Sequence, residues 1–140
     1  MNNETLEFKK GEIICRQNEN TSDLYFIESG KALVFGVEGT KVTPFAYIKE
    51  KEFIGELSFL DGKSRSAYTI AQEDSQLIKI AVNCKDNDMP NWLLNLSVSI
   101  ASRIRKIDDI IMKKGIRRKN TDSIEPLTIE EQREILEKIK

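Results

Sequence analysis

Over the first 80 or so residues the apolar positions come in short runs separated by turn chemistry. Ile13-Ile14 follows the turn Lys10-Gly11-Glu12, and Leu24-Tyr25-Phe26-Ile27 follows the polar residues Asn18 to Asp23. Ser29-Gly30-Lys31 leads into Ala32 to Val37, Glu38-Gly39-Thr40-Lys41 into Val42 to Ile48, and Gln72 to Ser75 separates Ala67–Ala71 from Gln76–Ile80. Runs of strand length, recurring every 8–12 residues or so between Gly- and Asx-rich turns, predict a β-sandwich or jelly roll. Pro44 lies inside one run and lacks an N–H, so that strand is predicted to be an edge strand or to carry a bulge.

The pattern changes at Met89-Pro90-Asn91. With Asn91 as N-cap, a helical repeat runs to about Lys114: Leu93, Leu96, Ile100, Ile107 and Ile110 recur at three- and four-residue steps, with Leu94, Ile104 and Ile111 on the flanks. Arg103 interrupts this stripe. Charge is sparse in the first half of the helix and dense in the second. The first half is therefore predicted to lie half-buried on the sandwich, and the second to be solvated apart from one apolar seam suited to a second copy of the chain. A basic run, Lys113 to Lys119, and a linker, Asn120 to Pro126, come next. Thr128-Ile129-Glu130-Glu131 resembles a capping box opening a short helix with Ile129, Ile135, Leu136 and Ile139 as its apolar positions. The expected fold is mainly β with C-terminal α: a β-sandwich or jelly roll over residues 1–90, a long helix over 91–114, and a linker with a short helix over 115–140.

Composition narrows the function classes. The 140 residues suit one domain with a sizeable core; 39% are hydrophobic and 32% charged, as in a soluble globular protein. A net charge of -1 gives no general argument for nucleic acid or membrane as partner. Histidine is absent, so His-dependent nucleophiles and His-ligated metal centres are excluded, and Cys15 and Cys84 are too far apart to form a ligand pair. Both cysteines are expected to be small core residues in a reducing cytoplasm. No stretch approaches the roughly 18 apolar residues of a membrane span, and Met1-Asn2-Asn3-Glu4 has no leader character. The tail supplies one helix of about three turns, where a helix-turn-helix reader needs at least two, so DNA is not an expected partner.

The candidate chemistry is concentrated in Phe53 to Ala67, Phe-Ile-Gly-Glu-Leu-Ser-Phe-Leu-Asp-Gly-Lys-Ser-Arg-Ser-Ala. Gly55 admits close backbone approach, Glu56 offers a carboxylate acceptor, and Leu57 to Leu60 can form one helical turn whose first amides favour an anion. Asp61-Gly62 closes the turn, and Arg65-Ser66-Ala67 adds a planar fork of donors, a hydroxyl and a residue too small to block access. The competing reading is an ordinary loop in which Glu56 and Arg65 form a surface ion pair worth under about 1 kcal/mol.

Gly55-Glu56-Leu57 followed at this distance by Arg65-Ser66-Ala67 resembles the phosphate-binding cassette of the cyclic-nucleotide-binding domains. Phe8 to Ile14 and Leu24 to Lys31 resemble that family's opening strand and next hairpin, so the likeness covers about residues 6 to 111. Asn18 and Lys51 stand where the family usually has glycine, which bears on turn geometry rather than on binding. The resemblance implies that Glu56 accepts from the ribose 2′-hydroxyl and that Arg65 and Ser66 hold the cyclic phosphate. Gly55, Leu57, Ser58 and Ala67 would contribute mainly backbone. It also implies that the base lies under the long helix, near Arg103, Ile107 and Asp108. Asp108 can accept from an exocyclic amine, unless Asp108 and Asp109 simply pair with Arg105 or Lys113. Ser66, rather than threonine, favours cAMP over cGMP. The implied protein is not an enzyme and needs no metal: a sensor that dimerises through helix 91–114 and signals to a partner or fused output domain. The alternatives are the sensor part of a longer signalling enzyme and a sandwich that binds no nucleotide and serves as a dimerisation platform.

Overall fold

The computed structural model describes residues 3–80, 90–114 and 126–140. Its strands are β1 (Glu4–Phe8), β2 (Ile13–Cys15), β3 (Leu24–Ser29), β4 (Ala32–Glu38), β5 (Lys41–Ile48), β6 (Phe53–Ile54), β7 (Tyr68–Ala71) and β8 (Ser75–Ile80). Helix α1 (Glu56–Asp61) interrupts them, and α2 (Asn91–Lys114) and α3 (Ile129–Ile139) follow. Among the described residues the strands form two four-stranded antiparallel sheets, ordered β1-β8-β3-β6 and β2-β7-β4-β5. The expected class, a β-sandwich followed by a long helix, is the one observed.

Strand alternation explains the layers, because successive side chains point to opposite faces. Ala32 of β4 joins Cys15, Ile27, Ile54 and Leu77 in the core between the sheets. Its neighbours Leu33 and Phe35 face the other way and pack with Val42, Ile70 and Ile135 of α3. The second sheet is thus covered on both faces. Pro44 behaves as its chemistry requires: β5 is the outer strand of its sheet, and its register with β4 shifts beside Pro44, between Val34 and Phe35. Strand β1 was not legible, since its alternation of charged residues with Leu6 and Phe8 is weak. The stretch Phe8 to Ile14 is not one strand but the end of β1, a turn and β2. Asn91 is the first helical residue rather than the cap, and the carbonyl of Pro90 accepts from Leu93 and Leu94 at 3.0 and 3.1 Å.

The expected burial of α2 is corrected. Its first half is largely exposed, and the face turned to the sandwich carries Ser97, Ala101, Arg105, Asp108, Ile111 and Met112, with Ala101 and Ile111 buried. Ala101 permits close approach, and Gly36 makes room for Met112: a Cβ there would lie 2.9 Å from its sulfur and 2.6 Å from the Phe45 ring. The apolar stripe faces outward, with Leu96, Ile100, Ile107 and Ile110 between 42 and 50% exposed.

Helix α3 begins with both halves of the capping box, the Thr128 hydroxyl accepting from the Glu131 amide and the Glu131 carboxylate from the Thr128 amide. It lies along the second sheet, where Gln132 Oε1 accepts from the Val42 amide at 3.1 Å and Arg16 donates to the Ile139 carbonyl at 3.3 Å. Cys84, the basic run from Gly115 to Lys119 and the linker from Asn120 to Glu125 lie outside the described residues. Ile135 is buried and Ile129 is 78% exposed. Ile135→Ala is therefore expected to cost about 2–4 kcal/mol by urea denaturation, and Ile129→Ala under about 0.5 kcal/mol. Equal effects would mean that α3 is not part of the folded core.

Candidate ligand-binding site

The segment from Phe53 to Ala67 is built around two glycines in left-handed conformations. Gly55 (φ 86°) precedes α1, whose N-terminus has no side-chain cap, so its first amides point outward without a local side-chain acceptor. Gly62 (φ 70°) ends the helix and donates its N–H to the Ser58 carbonyl at 2.9 Å. Asn18 and Lys51, the two positions where glycine is usual, are also left-handed, at φ 68° and 67°. For Lys51 this conformation costs roughly 1–2 kcal/mol, and its amide is pinned to the Ile27 carbonyl at 2.8 Å.

Arg65 organises the site. It is 4% exposed, and its guanidinium donates to three neutral oxygens: Thr21 Oγ1 at 3.0 Å, the Gly55 carbonyl at 3.0 Å and the Asp23 carbonyl at 2.7 Å. Its backbone is stapled to the β2–β3 loop in both directions, Asn18 N to Arg65 O at 2.8 Å and Arg65 N to Glu19 O at 2.9 Å. Of the five guanidinium N–H groups, one on each terminal nitrogen is left over. A Cβ at Gly55 would run into Arg65 Nη1 and lie 2.8 Å from the Asp23 carbonyl, so glycine is required by this packing as well as by its backbone angles. The carboxylate of Asp23 points elsewhere, to Lys79 at 3.6 Å.

A cavity of about 220 Å³ opens beside these groups, lined by Gly55, Glu56, Leu57, Ser58, Arg65, Ser66, Ala67 and Asp108. All but two of the candidate residues therefore share one space. One exception is Arg103, which is exposed and absent from the lining. The reason is helical phase: residues four apart, here Ile104 and Asp108, face the cavity together, and Arg103 is one step of about 100° away. Ile107 is likewise turned outward, 49% exposed. The apolar lining, Val34, Phe45, Ile48 and Ile104, was not singled out from the sequence. In the sequence Val34, Phe45 and Ile48 read only as strand residues, and Ile104 as a flank of the helical stripe. Burial pushes the Cys15 thiol in the same cavity up to about 11, with Arg65 pulling weakly the other way, so it is neutral at physiological pH.

Sequence reading also missed the clamp between α2 and the cassette. Arg105 donates from Nε to Asp61 Oδ2 at 2.7 Å and from Nη2 to Asp61 Oδ1 at 3.0 Å. It also reaches the Ser64 carbonyl at 3.0 Å and Ser58 Oγ at 3.4 Å. The candidate partner for Asp108 or Asp109 is thus engaged with Asp61, and Asp109 pairs with Lys113 at 3.2 Å. In the run Arg103-Ile104-Arg105-Lys106 nothing local separates the clamp from its neighbours.

The chain is similar to known proteins in the same region. Residues 5–84 match the model of the cyclic nucleotide-binding domain. The chain belongs to the cyclic nucleotide-binding domain family. It is 31% identical over 107 residues to the cyclic AMP receptor protein of Thermus thermophilus, covering 72% of this chain and 49% of that protein. It is 25% identical over 130 residues to lysophospholipase nte1 of Aspergillus fumigatus, covering 89% of this chain but 8% of the enzyme. Among solved structures, the cAMP-bound EAL enzyme Bd1971 has the same fold, with a TM-score of 0.70 at 23% identity over 76% of this chain and 29% of that one. The chain spans about half or less of the length of these relatives.

The Asp61 clamp has a pH signature. Burial raises the Asp61 carboxyl, but the hydrogen bonds from Arg105 and the Lys63 amide outweigh it and hold the group below its ordinary 3.8. A depressed carboxyl contributes stability that is present above the unfolded value and lost as pH falls through the folded one. Wild type should therefore lose this contribution below about pH 4, and Asp61→Asn, costing about 1–3 kcal/mol at neutral pH, should have a flatter acid limb. Urea midpoints measured from about pH 6 to about pH 3 check this. Parallel limbs would show that the clamp is not an ion pair in solution.

Proposed function

We propose that the chain is a regulatory module that binds a cyclic nucleotide, cAMP in preference to cGMP, and reports occupancy through α2. The observation that carries this reading is the common cavity of Glu56, Arg65 and Ser66 beside the uncapped start of α1. The lining suits such a ligand part by part. The two remaining Arg65 N–H groups, the Ser66 hydroxyl and the first α1 amides suit a cyclic phosphate, and the Glu56 carboxylate suits the ribose 2′-hydroxyl. Phe45, Val34, Ile48 and Ile104 suit the flat apolar faces of a base, and Asp108 suits its exocyclic amine. The lean to cAMP rests on Ser66 and on the name of the Thermus relative. Nothing in the proposed role calls for a catalytic group or a metal.

Occupancy would act by population shift, stabilising the arrangement in which cassette and α2 are docked. The outward stripe Leu96, Ile100, Ile107 and Ile110 favours a two-fold partner, because a seam this exposed serves no purpose on the chain's own sandwich. A second reading, in which the module is the sensor of a longer signalling enzyme, is favoured by the alignment of 89% of the chain to a small part of a lysophospholipase.

Titration calorimetry with cAMP and cGMP tests the ligand. Arg65→Ala is expected to lose about 2–5 kcal/mol of cAMP binding, and Glu56→Ala about 1–3 kcal/mol. Affinities equal to wild type in both variants would sink the assignment. Sedimentation equilibrium tests the seam: wild type is expected to be a dimer and Ile107→Asp a folded monomer, whereas a monomeric wild type would leave the stripe without this role.

A further inference from the structure

We infer that Arg105 is the positioning residue of the cassette, the group through which the placement of α2 and the shape of the anion cradle are coupled. This rests on the cyclic-nucleotide reading and assigns the regulation of that site. The geometry is specific. One guanidinium grips the cassette on both sides of the loop between α1 and Arg65: Asp61 at the end of α1 by a two-toothed ion pair, Ser58 within α1, and the Ser64 carbonyl immediately before Arg65. Ser58 is itself a cavity-lining residue. On the helix side, Arg105 directly follows Ile104 and precedes Asp108 by three residues, so the segment of α2 that roofs the cavity carries the clamp.

Energetics make the clamp two-state. The Asp61 side chain is 3% exposed and that of Arg105 17%. Lifting α2 without α1 would break a two-toothed, charge-assisted pair together with the Ser64 and Ser58 contacts, a larger loss than separating a single surface pair. Cassette and helix are therefore held to move together. Linkage is reciprocal, so a clamp that raises ligand affinity must let the ligand hold α2 by the same factor. Arg105 lies outside the cavity lining and acts through the groups it holds.

The test uses the full chain as wild type, Arg105→Gln, Asp61→Asn and the double variant, with Arg105→Lys keeping the charge without the fork. Melting without ligand identifies any variant that fails to fold. The first readout, hydrogen exchange without ligand, is independent of function: cassette amides from residues 57 to 64 should exchange faster in the folded variants while β3 and β8 stay protected. Unchanged cassette exchange would overturn the inference whatever the chain binds. The second is cAMP titration, with cGMP in parallel. Each single variant is expected to lose about 5- to 100-fold in affinity, the double variant no more than the weaker single, and Arg105→Lys to fall between wild type and Arg105→Gln. At saturating cAMP, α2 amides should gain protection in wild type and not in Arg105→Gln. Wild-type binding with variant affinities within about twofold and unchanged α2 protection would overturn the coupling and leave the cyclic-nucleotide reading standing. Failure of wild type to bind either nucleotide would overturn that reading and, with it, the regulatory role of the clamp.

Discussion

A buried cation with no carboxylate partner among the described residues is the constraint on which the rest of the site depends. Arg65 is 4% exposed, yet its guanidinium donates to a hydroxyl and two backbone carbonyls. Neutral acceptors satisfy N–H groups but do not cancel charge, so the guanidinium bears part of its desolvation cost uncompensated. Holding it there takes three chain segments: the β2–β3 loop through Thr21 and Asp23, the start of the cassette through Gly55, and its own backbone bonds to Asn18 and Glu19. Two left-handed residues follow from the same demand. Gly55 must lack a side chain to let the guanidinium pass, and Asn18 must turn sharply to present its amide to Arg65.

The long helix divides its duties by face in an order opposite to the usual one. Its most apolar stripe looks outward, and the face toward the sandwich carries serine, alanine, arginine and aspartate beside Ile111 and Met112. A helix attached mainly by small and polar groups is held by geometry-dependent contacts rather than by bulk apolar area. Such attachment is easier to bias than a greasy one, because ion pairs and hydrogen bonds fail over short displacements while hydrophobic contact fades gradually. Helix α3 contrasts with it. It buries Ile135 and half-buries Leu136 and Ile139 on the second sheet, which makes it a structural cover.

How much of this was legible follows from which interactions are local. The strand series after β1, the capping box, the Pro44 edge and the cassette turn depend on neighbours in sequence and could be read from it. The cassette residues could be named because their spacing is fixed by one short turn. Burial of α2 could not be read, because hydrophobic periodicity reports that a stripe needs covering and not what covers it. Arg103 was placed by counting along the helix, and a count correct to one residue still errs by about 100° in direction. Thr21 and Asp23 lay in a polar loop with no periodicity, and their role is set by a residue 44 and 42 positions away.

Charge pairing finally separates the arginines that lie close to the cavity. Arg65 and Arg105 present the same chemical group near the same segment; the cassette spacing already singles out Arg65 for an anion, and charge pairing supplies the physical reason. Arg105 already has a carboxylate on two of its nitrogens, so a ligand phosphate would have to compete with Asp61 for it. Among the described residues Arg65 has no such competitor, and its three hydrogen bonds leave one N–H on each terminal nitrogen. An anion arriving in the cavity therefore gains most at Arg65, where it relieves an uncompensated charge, and would gain least at Arg105, where it would break an ion pair. The two arginines thus differ in how their charge is met: that of Arg65 by a hydroxyl and two carbonyls, that of Arg105 by the Asp61 carboxylate, which ties α2 to the cassette.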